Sequence, residues 1–72
     1  MSLTDTLETA RLKINEIHGI AEEIAILAQK AKNYSKDMDA GLITLTDEQK
    51  QNFLSKYQEK KNQLKSIINE LP

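Results

Sequence analysis

The sequence contains no cysteine, one proline, two glycines and three aromatic residues. Without cysteine the chain can form no disulfide, no thiolate metal site and no thiol nucleophile. So few turn-forming residues disfavour sandwiches, small barrels and repeated βαβ units, all of which need several tight turns. A chain of 72 residues suits one small domain, which we expect to span residues 1–72 and to be all-α.

Charge and hydropathy give no sign of a nucleic-acid or membrane protein. Ten basic and eleven acidic residues leave a formal net charge of −1. That balance provides no overall attraction to nucleic acid or to an anionic membrane. No apolar run approaches the ~18 residues of a membrane span, and no basic segment precedes an apolar one as in a secretory leader. We therefore expect a cytoplasmic protein that does not bind membranes.

Apolar residues in the first half of the chain recur at alternating steps of three and four residues. This spacing follows the a and d positions of a heptad pattern and predicts a helix over residues 4–38. Ser2 or Thr4 is expected to cap its start. Gly41 is suited to the left-handed conformation that commonly ends a helix.

The connector, residues 39–46, is short and partly apolar. A single strand there would have no partner, so we expect Leu42, Ile43 and Leu45 to close the end of a helical core instead. A connector of about seven residues also favours an antiparallel arrangement of the helices that it joins.

A second helix is predicted over residues 47–70. Thr46 and Gln49 form the pattern of a capping box at its start. In the antiparallel register the second helix brings basic residues opposite acidic ones of the first. The expected opposite charges are Glu22 and Glu23 with Lys60 and Lys61, and Lys32 and Lys36 with Asp47 and Glu48.

A hairpin of two helices encloses no core, because each helix covers only one side of the other. A second copy would complete a four-helix bundle, so we expect a homodimer of antiparallel hairpins. A monomeric hairpin with a frayed N-terminus and a parallel coiled coil through the first helix remain as alternatives. The predicted interface is Leu7, Ala10, Ile14, Ile17, Ala21, Ile24, Ala28, Ala31, Phe53, Tyr57, Leu64 and Ile67.

Further apolar residues are expected to lie outside the hairpin contact. The first helix is longer than the second, so Leu3, Leu7 and Ala10 would face no residue across the hairpin. Leu12 and Ile26 fall off the main apolar stripe. We expect these residues to add to a surface that binds a helical segment, either of a second copy or of another protein.

The sequence offers no arrangement typical of an active site. His18 is the only histidine and lies beside the apolar stripe, where packing or solvent exposure is the ordinary role. A di-iron bundle would need Glu-x-x-His on inward faces, whereas Glu16 and His18 are two residues apart. We therefore predict no enzyme, no catalytic residues, no metal, no cofactor and no small-molecule substrate. The predicted function is a helical interaction or assembly module.

A small nucleic-acid-associated regulator is the alternative function. The second helix is locally basic, and a lysine face could contact phosphates. Against it, arginine is nearly absent and no known DNA-binding motif is present. The residues of this alternative face are Lys50, Lys56, Lys60, Lys61 and Lys65.

Overall fold

The computed structural model describes residues 2–72 and contains two helices within them, α1 (Leu3–Asp39) and α2 (Asp47–Asn69). The helices pack against each other as a hairpin. The predicted all-α hairpin is therefore confirmed. The Cα atoms extend over 59 × 18 × 9 Å, so the hairpin is a rod one helix thick.

The start of α1 is fixed by Ser2. Its side-chain oxygen accepts a hydrogen bond from the backbone N–H of Asp5 at 3.1 Å, and its backbone is extended. This bond satisfies one of the N–H groups that a helix leaves unpaired in its first turn. The carboxylate of Asp5 also lies at the positive end of the helix dipole. Of the two predicted caps, the structure uses Ser2.

The end of α1 is a Schellman motif. The N–H of Gly41 donates to the carbonyl of Met38 at 3.0 Å, and that of Leu42 donates to the carbonyl of Asp37 at 2.9 Å. The motif requires a left-handed residue, and Gly41 has a φ of 74°. The predicted role of Gly41 is confirmed.

The start of α2 is the predicted capping box. The N–H of Gln49 donates to the Thr46 hydroxyl at 3.1 Å, and the Thr46 N–H donates to the Gln49 side-chain oxygen at 2.9 Å. Two otherwise unpaired donors are satisfied, so α2 begins at a defined residue.

The two glycines should respond oppositely to alanine. Gly41→Ala places a side chain at a positive φ and should lower the free energy of unfolding by roughly 1–2 kcal/mol. Gly19→Ala, the matched control within α1, should raise it by about 1 kcal/mol because alanine favours the helix. A Cβ meets no atom within 4 Å at either site, so the backbone alone sets the difference. Urea unfolding measures the free energy of unfolding of both variants. Equal changes in the two would contradict the left-handed role assigned to Gly41.

The helices meet along two columns of α1. Ala10, Ile17 and Ile24 form one column, Ile20 and Leu27 belong to the other, and all five are half-buried. The facing residues are also half-buried: Phe53, Leu64 and Ile67 of α2, and Leu71 just beyond its end.

Two ion pairs fix the register of the hairpin. The Lys60 ammonium lies 2.6 Å from a carboxylate oxygen of Glu23, and that of Lys13 lies 2.7 Å from Glu70. The hydrogen bond that each ammonium donates to its carboxylate raises the pKa of the lysine. The expected proximity of Glu23 and Lys60 is therefore observed.

The other predicted charge contacts are absent from the hairpin. No ion pair within residues 2–72 joins Lys32 or Lys36 to Asp47 or Glu48. These four residues all lie near the turn but are exposed.

The connector is only partly packed. Ile43 and Leu45 are half-buried, as expected for residues that close one end of the hairpin. Leu42 is 73% exposed, so its predicted role there is wrong. Leu42 directly follows the left-handed Gly41 and is the last residue of the Schellman motif, and its side chain is in solvent.

Neither helix of the described chain combines the length and the apolar character needed to cross a membrane.

Candidate docking surface

One side of the hairpin carries exposed apolar side chains on both helices. An open groove between the helices is lined by Ala28 and Ala31 of α1 and by Leu54 and Tyr57 of α2. Ala28 and Leu54 therefore lie on the same side. Residues seven apart follow one line along packed helices, so this side continues in both directions. We call it the apolar flank, comprising Leu7, Ile14, Ala21, Ala28, Leu54, Tyr57 and Ile68.

Exposure on the apolar flank is high for large aliphatic side chains. Leu7 is 59% exposed, Leu54 55% and Ile68 47%. Isolated exposed leucines are ordinary on proteins, but exposed apolar side chains that follow the same side of two helices mark a contact surface.

The opposite side of the hairpin is polar. Its grooves are lined by charged and amide side chains together with apolar ones, of which Tyr34 and Ile26 are exposed. We call this side the polar flank, comprising Glu23, Lys30, Gln49, Asn52, Lys56 and Glu59. The hairpin is thus apolar along its middle, apolar on one flank and polar on the other.

Lys61 interrupts the apolar flank. It lies seven residues from both Leu54 and Ile68 and is half-buried. Lys60, one residue away, faces α1 and pairs with Glu23, whereas Lys61 forms no ion pair within the described chain. The charge of this half-buried lysine has no partner among residues 2–72, so an acidic group from outside the hairpin could pair with it.

The predicted interface residues divide into two groups. Ala10, Ile17, Ile24, Phe53, Leu64 and Ile67 are half-buried, where the two helices of the hairpin meet. Leu7, Ile14, Ala21, Ala28, Ala31 and Tyr57 are exposed. The single apolar stripe expected on α1 therefore comprises a line that α2 covers and a line that it leaves open.

Leu54 and Ile68 were absent from the predicted interface, although both fall on the apolar flank. Their signal is the seven-residue spacing of Leu54, Lys61 and Ile68, which the lysine obscures. Of the other apolar residues expected at the surface, Ala10 is half-buried. The remaining four are exposed: Leu3, Leu7, Leu12 and Ile26.

The five lysines of the alternative face are spread around α2. Lys56 lines grooves of the polar flank, Lys50 lines a groove with Leu54 and Ala31, and Lys60 is paired within the hairpin. Lys61 lies on the apolar flank, and Lys65 is exposed four residues further along α2. Their charges therefore point in several directions rather than to one phosphate backbone.

The side chains considered for metal binding do not form a cluster. His18 is exposed on α1. Among residues 2–72, no three histidine, aspartate or glutamate side chains are grouped so that they could hold a metal ion.

Comparison with models of protein families, with curated proteins and with solved structures finds no significant match to this chain.

Proposed function

We propose that this chain is a non-enzymatic assembly module that acts through self-association, two hairpins pairing through their apolar flanks into a four-helix bundle. One observation carries the proposal: no side chain between residues 2 and 72 is buried. Folded domains are stabilised mainly by apolar surface removed from water. A hairpin whose best-packed residues are only half-buried lacks most of that stabilisation, and a second layer would supply it.

The surface area of the hairpin supports this reasoning. The chain exposes 5704 Å². A compact monomer of 8.2 kDa is expected to expose about 4,500 Å², so the hairpin exposes roughly a quarter more. An excess of that size matches what one subunit buries in a large, obligate dimer interface of about 2,000 Å² or more in total.

The shape of the hairpin leads to the same partner. Domains consist of at least two packed layers, whereas the Cα atoms here span only 9 Å in the thin direction. The apolar flank runs along both helices, so its natural occupant is another pair of helices. A second copy provides a pair of matching length and presents the same surface.

Sedimentation equilibrium tests the proposal. The expected mass is twice the 8.2 kDa of the chain, since paired hairpins are the smallest assembly that covers the apolar flank. A single species of 8.2 kDa at millimolar concentration would refute self-association. A mass well above twice this value would refute the paired bundle.

A further inference from the structure

We propose that the two hairpins pair with their turns at the same end of the bundle, so that α1 of each copy packs against α2 of the other. This inference rests on the proposed self-association and specifies how the copies meet. It follows from the order of residues along the apolar flank. In this orientation the facing residues of the two copies match in size and charge, whereas with the turns at opposite ends they do not.

Twofold symmetry allows two ways of placing the apolar flank against itself. An axis along the hairpin puts both turns at one end and stacks α1 on the partner's α2. An axis across the hairpin puts the turns at opposite ends, stacking α1 on α1 and α2 on α2. The two orientations therefore bring different residues together.

The residues that face each other follow from two parallel lines on the flank. On α1 the line contains Ile14, Ala21, Ala28 and Ser35, each seven residues from the next. On α2 it contains Asp47, Leu54, Lys61 and Ile68, with the same spacing. The ion pairs Lys13–Glu70 and Glu23–Lys60 show which residues of the two helices lie at the same height along the hairpin. The two lines therefore run side by side in opposite directions.

With the axis along the hairpin, residues of similar character face each other. Ile14 lies level with the partner's Ile68, and Ala28 with the partner's Leu54, so a small residue accommodates a large one. At the turn end, Ser35 lies level with the partner's Asp47, which places two polar side chains together.

The charges complement each other in the same orientation. Lys61 lies level with the partner's Ala21, and the neighbouring Glu22 is exposed and unpaired within residues 2–72. The unpaired ammonium thereby gains a carboxylate. At the other end, Lys36 adjoins Ser35 and lies level with the partner's Asp47. The lysine and aspartate that form no ion pair inside the hairpin can therefore pair between copies.

With the axis across the hairpin at the middle of the region where α1 and α2 overlap, the same lines are mismatched. Ile14 would face Ser35 of the partner subunit, and Leu54 would face the partner's Lys61. At the ends, Ile68 would face the partner's Asp47, which buries a carboxylate against an aliphatic side chain. Apolar burial and charge therefore both favour the first orientation.

Cysteine cross-linking distinguishes the orientations, because the chain has no cysteine of its own. Ala28→Cys and Leu54→Cys are made separately, mixed, and oxidised. The expected product is a disulfide-linked heterodimer of the two variants, identified by its mass. Ala28→Cys mixed with Ala21→Cys should give none, since facing residues alone approach within disulfide distance. A second pair, Ile14→Cys with Ile68→Cys, should repeat the first result.

The other possible results of the cross-linking and mass measurements distinguish failure of the orientation from failure of self-association. Cross-linking of Ala28→Cys with Ala21→Cys, without the expected heterodimer, would show the opposite orientation and overturn the inference. A dimeric mass with none of these cross-links would also overturn it while leaving self-association intact. A mass of 8.2 kDa for the unmodified chain would refute the proposed function itself.

Discussion

Ala28→Glu is expected to abolish dimerisation and, with it, most of the helical structure. Ala28 lies in the middle of the apolar flank, in the groove that it shares with Leu54 and Tyr57. A carboxylate buried there without a partner costs ~3 kcal/mol or more per chain. Glutamate forms helices nearly as well as alanine, so the loss would come from the contact and not from α1 itself. Circular dichroism and sedimentation measure the two effects.

Ile26→Glu is the matched control for that change. Ile26 is on the same helix two residues away, is 53% exposed, and lines a groove of the polar flank with Lys56 and Lys60. The introduced carboxylate would remain in water, in a groove where two lysines and two glutamates balance each other's charge. Stability should therefore change by no more than about 0.5 kcal/mol, and the mass should remain dimeric. Equal damage from both substitutions would mean that the apolar flank is wrongly assigned.

Lys61→Leu is expected to have the largest stabilising effect. It replaces the half-buried lysine that interrupts the flank and completes an apolar line with Leu54 and Ile68. Burying a leucine contributes roughly 2 kcal/mol per chain, and replacing a buried ionic group by a well-packed aliphatic one is commonly stabilising. The urea midpoint should therefore rise markedly.

The preference for one orientation of the two hairpins should weaken in the Lys61→Leu variant, although the bundle becomes more stable. Lys61 and Asp47 carry charges that distinguish the two orientations, as polar residues do in coiled coils, and this variant removes one of the two. Cross-linking in a Lys61→Leu background should therefore show both orientations. Lys56→Leu, on the polar flank, is the control and should leave the midpoint unchanged within about 0.5 kcal/mol. A midpoint raised equally by both variants would contradict the account.

The ends of the helices and the register of the hairpin could be predicted from the sequence because each depends on local chemistry. Thr46 and Gln49 satisfy donors three residues apart, and Gly41 alone suits the left-handed turn. The pair of Glu23 and Lys60 follows from connector length and charge. None of these features depends on how many of the apolar lines of α1 are covered by α2.

The division of the apolar stripe could not be predicted in the same way. Three lines on α1 are apolar, one each through Ile14, Ile17 and Ile20. A single helix covers only two of them, and the sequence of α1 does not specify which. α2 covers the lines of Ile17 and Ile20, leaving that of Ile14 exposed on the flank. That choice depends on the rotation of α2, which Phe53 and Leu64 set together with the ion pairs.

The most direct test follows helix content and molecular mass on the same samples through a dilution series from millimolar to low micromolar. If the hairpin depends on its partner for a core, the helical circular dichroism signal and the dimer mass should be lost together as the protein is diluted. A full helical signal in samples whose mass has fallen to 8.2 kDa would contradict the account, because it would show that the single hairpin is stable with no buried side chain.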